Sequence, residues 1–365
     1  MKRKNTLFRF LSAALALVMC LSSILILGGC KDKEGLKILI YGQYLAPEAV
    51  KLFENESGIR VYMDECDTPE ELYNKAVNGD NSYDLICTSD YVIERFIAED
   101  RLSSLNYDNI PNIKNIGDIH WESTKAFDPE VKYSVPHFWG TVGVIYDTTV
   151  VSEEDAKSWE MFFNPKYADK IIMANSIRDS FLVALKYLGY SLNTTNKKEI
   201  DEAKALLLKQ KDIVKAYQME SEARDSMICG DAAMAIVYNG EAYIAIEGDE
   251  ELGIKGNPKL AFTVPDEGTN LWMDSWVIPK YSKNKDAAES FINTMCCVEA
   301  AEYNFNYIYY STPNQALIDS LDEDIKSDEA IFPPEELIRK SELMKSLSQE
   351  LTDYYGRAWK EIKAK

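Results

Sequence analysis

The sequence is poor in the groups that most catalytic and metal centres use. It has only two histidines, His120 and His137, and no pair of cysteines separated by two residues. A zinc site is therefore not expected, and no Ser/His/Asp or Cys/His catalytic arrangement is indicated. Neither a Walker A pattern nor a G-x-G-x-x-G loop occurs, so the chain offers no glycine loop for phosphate.

Positive charge is also scarce. The 365 residues include 40 Lys and Arg against 60 Asp and Glu, which gives a formal charge of −20. Such a surface repels phosphate backbones and disfavours a polyanion-binding role. A cationic small ligand agrees with the sign, although net charge also promotes solubility. The hydrophobic fraction of 46% is typical of a globular chain, and the length suits two domains of about 100–200 residues each.

The N-terminus has the pattern of an export signal. Residues 1–9 carry four basic residues and no acid, and residues 10–27 are almost wholly apolar. The following Leu-Gly-Gly-Cys at 27–30 resembles a bacterial lipobox, which implies cleavage after residue 29, a lipid on the Cys30 thiol and a tether over residues 30–35. A transmembrane anchor is the alternative, but the apolar run is short for a span of about 20 residues.

Five cysteines remain once Cys20 and Cys30 are set aside. They are Cys66, Cys87, Cys229, Cys296 and Cys297. An odd number without regular spacing does not predict a disulfide framework. We therefore expect buried free thiols.

The chain alternates between strand-like and helix-like segments. Predicted strands at 36–41, 59–63 and 83–87 are each followed by a predicted helix, at 47–58, at 68–77 and from residue 90. Three such units favour a parallel sheet with helices on both faces. Ligands of such sheets gather beyond the carboxyl ends of the strands, here residues 41–44 and 88–91. A second block has predicted strands at 141–146, 234–238 and 272–279, helices at 180–188 and 198–209, and a helical end at 334–365.

Six local patterns in register carry a family resemblance. They are YGQY at 41–44, YDL to SDY at 83–91, LGYS at 188–191, NTT at 193–195, WMDS at 272–275 and YSTPN at 310–314. Over residues 36–355 the chain resembles the spermidine/putrescine-binding proteins of ABC importers. The resemblance implies an α/β, two-lobed periplasmic-binding-protein fold, with crossing hinge strands near 139–145 and 270–276 and a ligand cleft between the lobes. The implied division is 36–140 plus 274–309 for lobe 1, and 141–273 plus 310–365 for lobe 2.

Asp274 is the strongest candidate for binding an amine. A linear polyamine needs carboxylates for its ammonium groups and aromatic faces around its methylenes. Asp274 lies in an apolar run between Trp272 and Trp276, where an acid without a partner is rare. The resemblance implies that Asp274 grips an amine and that Trp272 forms a wall. The alternatives are an aspartate that caps a turn or pairs with an arginine.

Further candidates come from the other patterns. The resemblance implies that cleft contacts are made by Tyr41, Tyr44, Ser89, Tyr91, Tyr238 and Tyr310, whereas ordinary packing is the alternative for each ring. Asp90 is expected to be a helix N-cap. Glu241 follows Tyr238 by three residues, as an acid does in putrescine-selective relatives, but it also suits the start of a helix.

The segment at 176–179 departs from the family. Spermidine binders carry an Asp-x-Arg-Glu pattern where this chain has Ser176, Ile177, Arg178 and Asp179. The first acid is therefore missing, and Asp179 remains as a shorter second one. The patterns do not rank putrescine against spermidine.

We therefore expect a monomeric, lipid-anchored solute-binding protein that captures a polyamine and delivers it to an ABC permease, without cofactor or metal. Three alternatives stay open. Paired acids could serve a glycoside hydrolase. The tandem tyrosines at 309–310 and 354–355 could bind ferric iron. A structural surface lipoprotein would bind no small molecule.

Overall fold

A computed structural model describes residues 35–79, 82–249 and 253–364. The predicted signal peptide and the lipidation candidate Cys30 lie outside these ranges, as does the tether up to residue 34. Within the described ranges, no helix has both the length and the apolar character needed to cross a bilayer.

The first three strands form the parallel βα arrangement that the sequence predicts. Strand β1 lies between β2 and β3, and both pairings are parallel. The elements are β1 (Leu36–Tyr41), α1 (Pro47–Ser57), β2 (Val61–Cys66), α2 (Pro69–Asn78), β3 (Leu85–Ser89) and α3 (Asp90–Ala98). Their strand ends therefore meet at one edge of the sheet.

Local signals account for several of these boundaries. Helix α1 ends at Gly58, whose φ of 65° is left-handed and whose N–H donates to the Glu54 carbonyl. Strand β2 begins later than predicted because the chain is still leaving this cap. The Thr68 hydroxyl caps α2 by accepting from the Glu71 N–H at 3.2 Å. The prediction for Asp90 is wrong by one position, since Ser89 is the N-cap of α3.

The middle of the chain supplies the second block. Its elements are α4 (Asp118–Thr124), β4 (Ser134–Asp147), α5 (Glu153–Ala156), β5 (Ile171–Ala174), α6 (Ile177–Tyr187), α7 (Lys197–Gln210), β6 (Val214–Gln218), α8 (Glu220–Cys229), β7 (Met234–Tyr238) and α9 (Asn239–Glu247). Short 3₁₀ turns cover Tyr107–Asn109, Pro111–Asn115, Trp159–Phe163 and Pro165–Tyr167.

The last third of the chain adds strands and helices to both blocks. It contains β8 (Gly248–Asp249), β9 (Ile254–Lys255), β10 (Leu260–Thr263), β11 (Asn270–Val277), α10 (Lys285–Met295), α11 (Val298–Ile308), α12 (Gln315–Ile318), α13 (Glu323–Lys326), α14 (Glu335–Lys340), β12 (Glu342–Leu343) and α15 (Gln349–Ala364). The predicted helical end is thus broken by β12, which pairs with β11.

Two long strands join the lobes. The sheet follows the path β2-β1-β3-β11-β4-β7-β5-β6. The first half of β4 pairs with β11, and its second half pairs with β7 and β10. Likewise, β11 pairs with β3 only from Asp274 onward. Both strands therefore change neighbours along their length and run from one lobe of this two-lobed α/β fold into the other.

The C-terminal segment contacts both lobes in turn. The Gly117 N–H donates to the Pro313 carbonyl at 3.0 Å, which holds the start of this segment against the first lobe. The last helix, α15, instead packs on α6 and α7 of the second lobe, where Tyr355 meets Phe181 edge-on.

The cysteines in the described ranges are free thiols. Cys66, Cys87 and Cys296 are buried as expected, and Cys297 is half-buried. The expectation is wrong for Cys229, which is exposed because it ends α8 at the surface, just before the left-handed Gly230.

Candidate ligand-binding cleft

The ends of three neighbouring strands bring the lobe 1 candidates together. Asp274 on β11 lies directly beside Ser89 at the end of β3. The Tyr41 hydroxyl, at the end of β1, lies 3.1 Å from the Thr88 hydroxyl. Ser89 is buried, and its hydroxyl has no hydrogen-bond partner among the described residues. These groups face the point where β4 and β11 cross between the lobes.

Asp274 is a buried carboxylate without a cation. Its side chain is 6% exposed and accepts a hydrogen bond from the Tyr44 hydroxyl. No Lys or Arg of the described ranges lies within 4 Å of it, so the alternative of an arginine pair is not what the structure shows. Burial raises the pKa of Asp274 to about 7, and the hydrogen bond from Tyr44 acts in the opposite direction.

Five aromatic rings form a continuous wall beside this acid, which we call the aromatic wall. The ring centroids are 5.5 Å apart for Tyr41 and Tyr44, and 5.9 Å for Tyr44 and Tyr310. Trp272 continues the wall at 4.8 Å from Tyr310 and 5.9 Å from Tyr238. The wall therefore begins on β1 of the first lobe and ends on β7 of the second. It offers π faces and apolar edges along its whole length.

Tyr91 lies on the lobe 1 side of the candidate cleft. It is half-buried at the start of α3, and its hydroxyl donates to the Glu70 carboxylate at 3.3 Å. Burial raises the pKa of Tyr91 well above its usual range, so the phenol stays neutral. Glu70 in turn lies close enough to Asp179 of the second lobe to raise the pKa of that acid. The two lobes therefore face each other closely here.

The second lobe contributes Asp179 and Glu241. Asp179 is 6% exposed in the first turn of α6, and burial raises its pKa. Ser176, where the family acid is missing, is the N-cap of α6 and accepts from the Asp179 N–H at 3.3 Å. Glu241 forms an ion pair with Arg224 at 2.8 Å. Burial still raises the pKa of Glu241, against the effect of this arginine.

Glu220 is a further acid near these candidates that the sequence analysis missed. It begins α8, one residue after the end of β6. Burial, followed by the fields of Asp179, Glu241 and Asp274, raises its pKa to about 8. The signal that could have found it is an acid immediately after a strand, but β6 was not predicted.

The other candidate chemistries do not assemble. Tyr309 stacks on Tyr243, whereas the Tyr354 hydroxyl donates to Asp201 on α7, so the tandem tyrosines serve separate surfaces. Burial lowers the pKa of His120 to about 4 and that of His137 to about 3, which leaves both neutral at physiological pH.

Comparison with known proteins agrees with this geometry. Residues 48–333 match the family described as bacterial extracellular solute-binding protein. The chain is 30% identical to the spermidine/putrescine-binding periplasmic protein of Salmonella typhimurium over 335 residues, 92% of each chain. It is 27% identical to the putrescine-binding periplasmic protein SpuD of Pseudomonas aeruginosa over 98% of its length and 99% of that protein.

A solved structure supports the same assignment. The crystal structure of the spermidine/putrescine ABC transporter substrate-binding protein PotD of Streptococcus pneumoniae superposes with a TM-score of 0.79 at 33% identity, covering 91% of this chain and 99% of that one. These relatives are binding components of transporters rather than enzymes, which confirms the sequence prediction on this point and sets the glycoside hydrolase aside. The chain belongs to the bacterial extracellular solute-binding protein family.

Proposed function

We propose that this protein captures a polyamine, putrescine or spermidine, in the cleft between its lobes and delivers it to the permease of an ABC importer. The observation that carries the proposal is a buried carboxylate, Asp274, that has no Lys or Arg within 4 Å among the described residues and borders the aromatic wall. A linear amine supplies both missing partners, since its ammonium pairs with the acid and its methylenes fit between rings. The names of the relatives support the same ligand class.

The binding chemistry follows from the groups present. Each ring that faces an ammonium contributes about 0.5–2 kcal/mol, and the carboxylates offset the desolvation of the charged nitrogens. The proposed contacts are Tyr41, Tyr44, Ser89, Tyr91, Asp179, Tyr238, Glu241, Trp272, Asp274 and Tyr310. Tyr310 packs closely on Gly240, where a Cβ would lie 2.5 Å from its ring. No bond of the ligand is made or broken.

Closure of the lobes would bury the ligand and create the surface that a permease recognises. We propose that the hinge is formed by β4 and β11, with lobe 1 at 36–140 plus 274–309 and lobe 2 at 141–273 plus 310–365. The packing of α15 on α6 and α7 supports the return to lobe 2. The contact of Pro313 with Gly117 places the first residues of that return beside lobe 1.

We further propose that the mature protein is a monomer held at the cell envelope by a lipid on Cys30, in the periplasm or on the outer face of the cytoplasmic membrane. The lipobox-like pattern at 27–30 and the periplasmic location in the names of the relatives support this placement. The acidic net charge would attract polycations to the cleft.

Isothermal titration of the unlipidated chain, residues 31–365, with putrescine, spermidine and butylamine tests the function. Butylamine is the matched control because it keeps the four-carbon chain and lacks the second ammonium. We expect a micromolar or tighter Kd for putrescine or spermidine and no measurable heat with butylamine. Absence of binding of both polyamines by folded protein, shown by circular dichroism, contradicts the proposal.

A further inference from the structure

In the second lobe, each of three neighbouring parallel strands is followed by a helix that carries an acid at the same edge of the sheet. Strand β5 pairs in parallel with β6 and with β7. Each strand runs into a helix whose first turn carries a carboxylate, namely Asp179 on α6, Glu220 on α8 and Glu241 on α9. Because the carboxyl ends of parallel strands meet at one edge, the three acids share one side of the cleft. Asp179 and Glu241 both raise the pKa of Glu220, after the larger effect of burial, which agrees with this placement.

One of these three acids already has a cation. Arg224 donates to Glu241 at 2.8 Å, and the two side chains are only 12% and 19% exposed. Arg224 follows Glu220 by one helical turn, so both lie on the same face of α8. Arg224 nonetheless pairs with Glu241 and Asp225, and no basic group among the described residues lies within 4 Å of Glu220. Of these three acids, Asp179 and Glu220 therefore have no Lys or Arg within 4 Å in the part of the chain that the structure describes.

Glu220 also reaches the aromatic wall. Its field raises the pKa of Tyr238 and that of Tyr310, in each case after the larger effect of burial. The field of Asp274, on the strand that joins the lobes, in turn raises the pKa of Glu220, after the larger effects of burial, Asp179 and Glu241. These effects agree with the position of Glu220 in the first turn of α8, one turn before the arginine that binds Glu241.

We propose that Glu220 is a specificity-determining residue that binds the third ammonium group of a triamine, in place of the acid that is missing at Ser176. The inference rests on the proposed function. Glu241 shares its charge with Arg224, and Asp90 accepts a hydrogen bond from the Tyr91 N–H at 2.7 Å at the start of α3. We therefore assign the three ammonium groups to the other three carboxylates, at positions 179, 220 and 274. They match the three ammonium groups of spermidine one for one, whereas putrescine leaves one carboxylate without a cation. The cleft is therefore selective for spermidine over putrescine.

The test compares Glu220→Gln with Glu222→Gln in residues 31–365. Both variants remove one negative charge from the start of α8, but Glu222 is exposed and only caps the helix through Met219, which glutamine can also do. Titration calorimetry with spermidine and putrescine gives four affinities to compare with those of the unsubstituted chain.

We expect Glu220→Gln to weaken the affinity for spermidine at least tenfold and the affinity for putrescine less than threefold. Glu222→Gln should change neither affinity. Equal weakening of both amines by Glu220→Gln, or no change in either, overturns the assignment while leaving the polyamine function intact. Tighter binding of putrescine than of spermidine by the unsubstituted chain also overturns the assignment. If the unsubstituted chain binds neither amine, the proposed function fails and this inference fails with it.

Discussion

The hydroxyl of Tyr44 donates a hydrogen bond to the carboxylate of Asp274, across 230 positions of the chain. Tyr44 follows β1, and Asp274 lies where β11 changes neighbours between the lobes. The bond therefore joins the strand-end loop of lobe 1 to the hinge. Over the described ranges the acid thus has a hydrogen-bond donor but no basic side chain as its counter-ion, which supports the proposal that it binds a cation.

Replacing Asp274 by asparagine should remove most of the amine affinity. The amide keeps the shape and can still accept from Tyr44, but it leaves an ammonium unpaired in a buried site. We expect a loss of about 2–5 kcal/mol, since truncating one partner of a buried charge pair has that cost. Titration calorimetry measures it. Asp108→Asn is the control, because Asp108 is an exposed acid of the same lobe; equal Kd values for the two variants would remove Asp274 from the site.

Amine affinity should rise with pH between 6 and 8. Burial raises the free-state pKa of Asp274 to about 7, and burial with neighbouring acids raises that of Glu220 to about 8. A bound ammonium favours the ionised carboxylates, so protons must leave before the amine binds at low pH, and the affinity falls as pH decreases. The titratable groups that face Asp274 and Glu220 are Tyr41, Tyr44, Cys87, Asp90, Asp179, Tyr238, Glu241 and Tyr310.

Calorimetry in phosphate and in Tris checks this sign, because the two buffers take up released protons with different heats. We expect proton release on binding at pH 7 and a Kd at least roughly tenfold weaker at pH 6 than at pH 8. Tyr44→Phe should move the dependence to higher pH, since the Tyr44 hydrogen bond lowers the pKa of Asp274. Affinities that are independent of pH in both proteins would contradict the prediction.

Arg224→Gln should free Glu241 and change the preferred ligand charge. Glu241 then joins Asp179, Glu220 and Asp274 as a fourth carboxylate for the ligand, so spermine, a tetraamine, should gain affinity relative to spermidine. The empty variant should also melt at a lower temperature, because a half-buried acid has lost its partner. Differential scanning fluorimetry and calorimetry measure the two effects. The control is Arg60→Gln, which changes an exposed arginine of lobe 1; a spermine-to-spermidine ratio that matches this control would show that Glu241 does not face the ligand.

The parts of the fold that were predicted are those with local signals. Strands β1 and β7 are buried apolar runs and were predicted to the residue. Helix α1 is bounded by Pro47 and a left-handed Gly58. In contrast, no element was predicted over α10 and α11, where no glycine or proline marks a boundary. Strand β6 ends the sheet and is only partly buried, so it shows no apolar run, and Glu220 behind it was missed.

Candidate site residues were predicted where their neighbours in the sequence were informative. Asp274 stands out because an acid lies between two tryptophans of an apolar strand. For Glu241 the sequence left two roles open, binding of a ligand and interaction with the helix dipole. The structure adds a third role, an ion pair with Arg224 of the preceding helix. Such a partner depends on how α8 and α9 pack, which no local pattern encodes.

The position of β11 in the sheet sets the order in which the protein can assemble. It lies between β3 and β4, although it is made long after both. The second lobe has all the strands of its main sheet once residue 263 is synthesised, whereas β3 keeps an unpaired edge until Val277 follows. Helices α10 and α11, which pack on α1, come later still. The sheet of the lobe that begins the chain is therefore completed after the main sheet of the other lobe, and its open strand edge is exposed to wrong pairing throughout that interval.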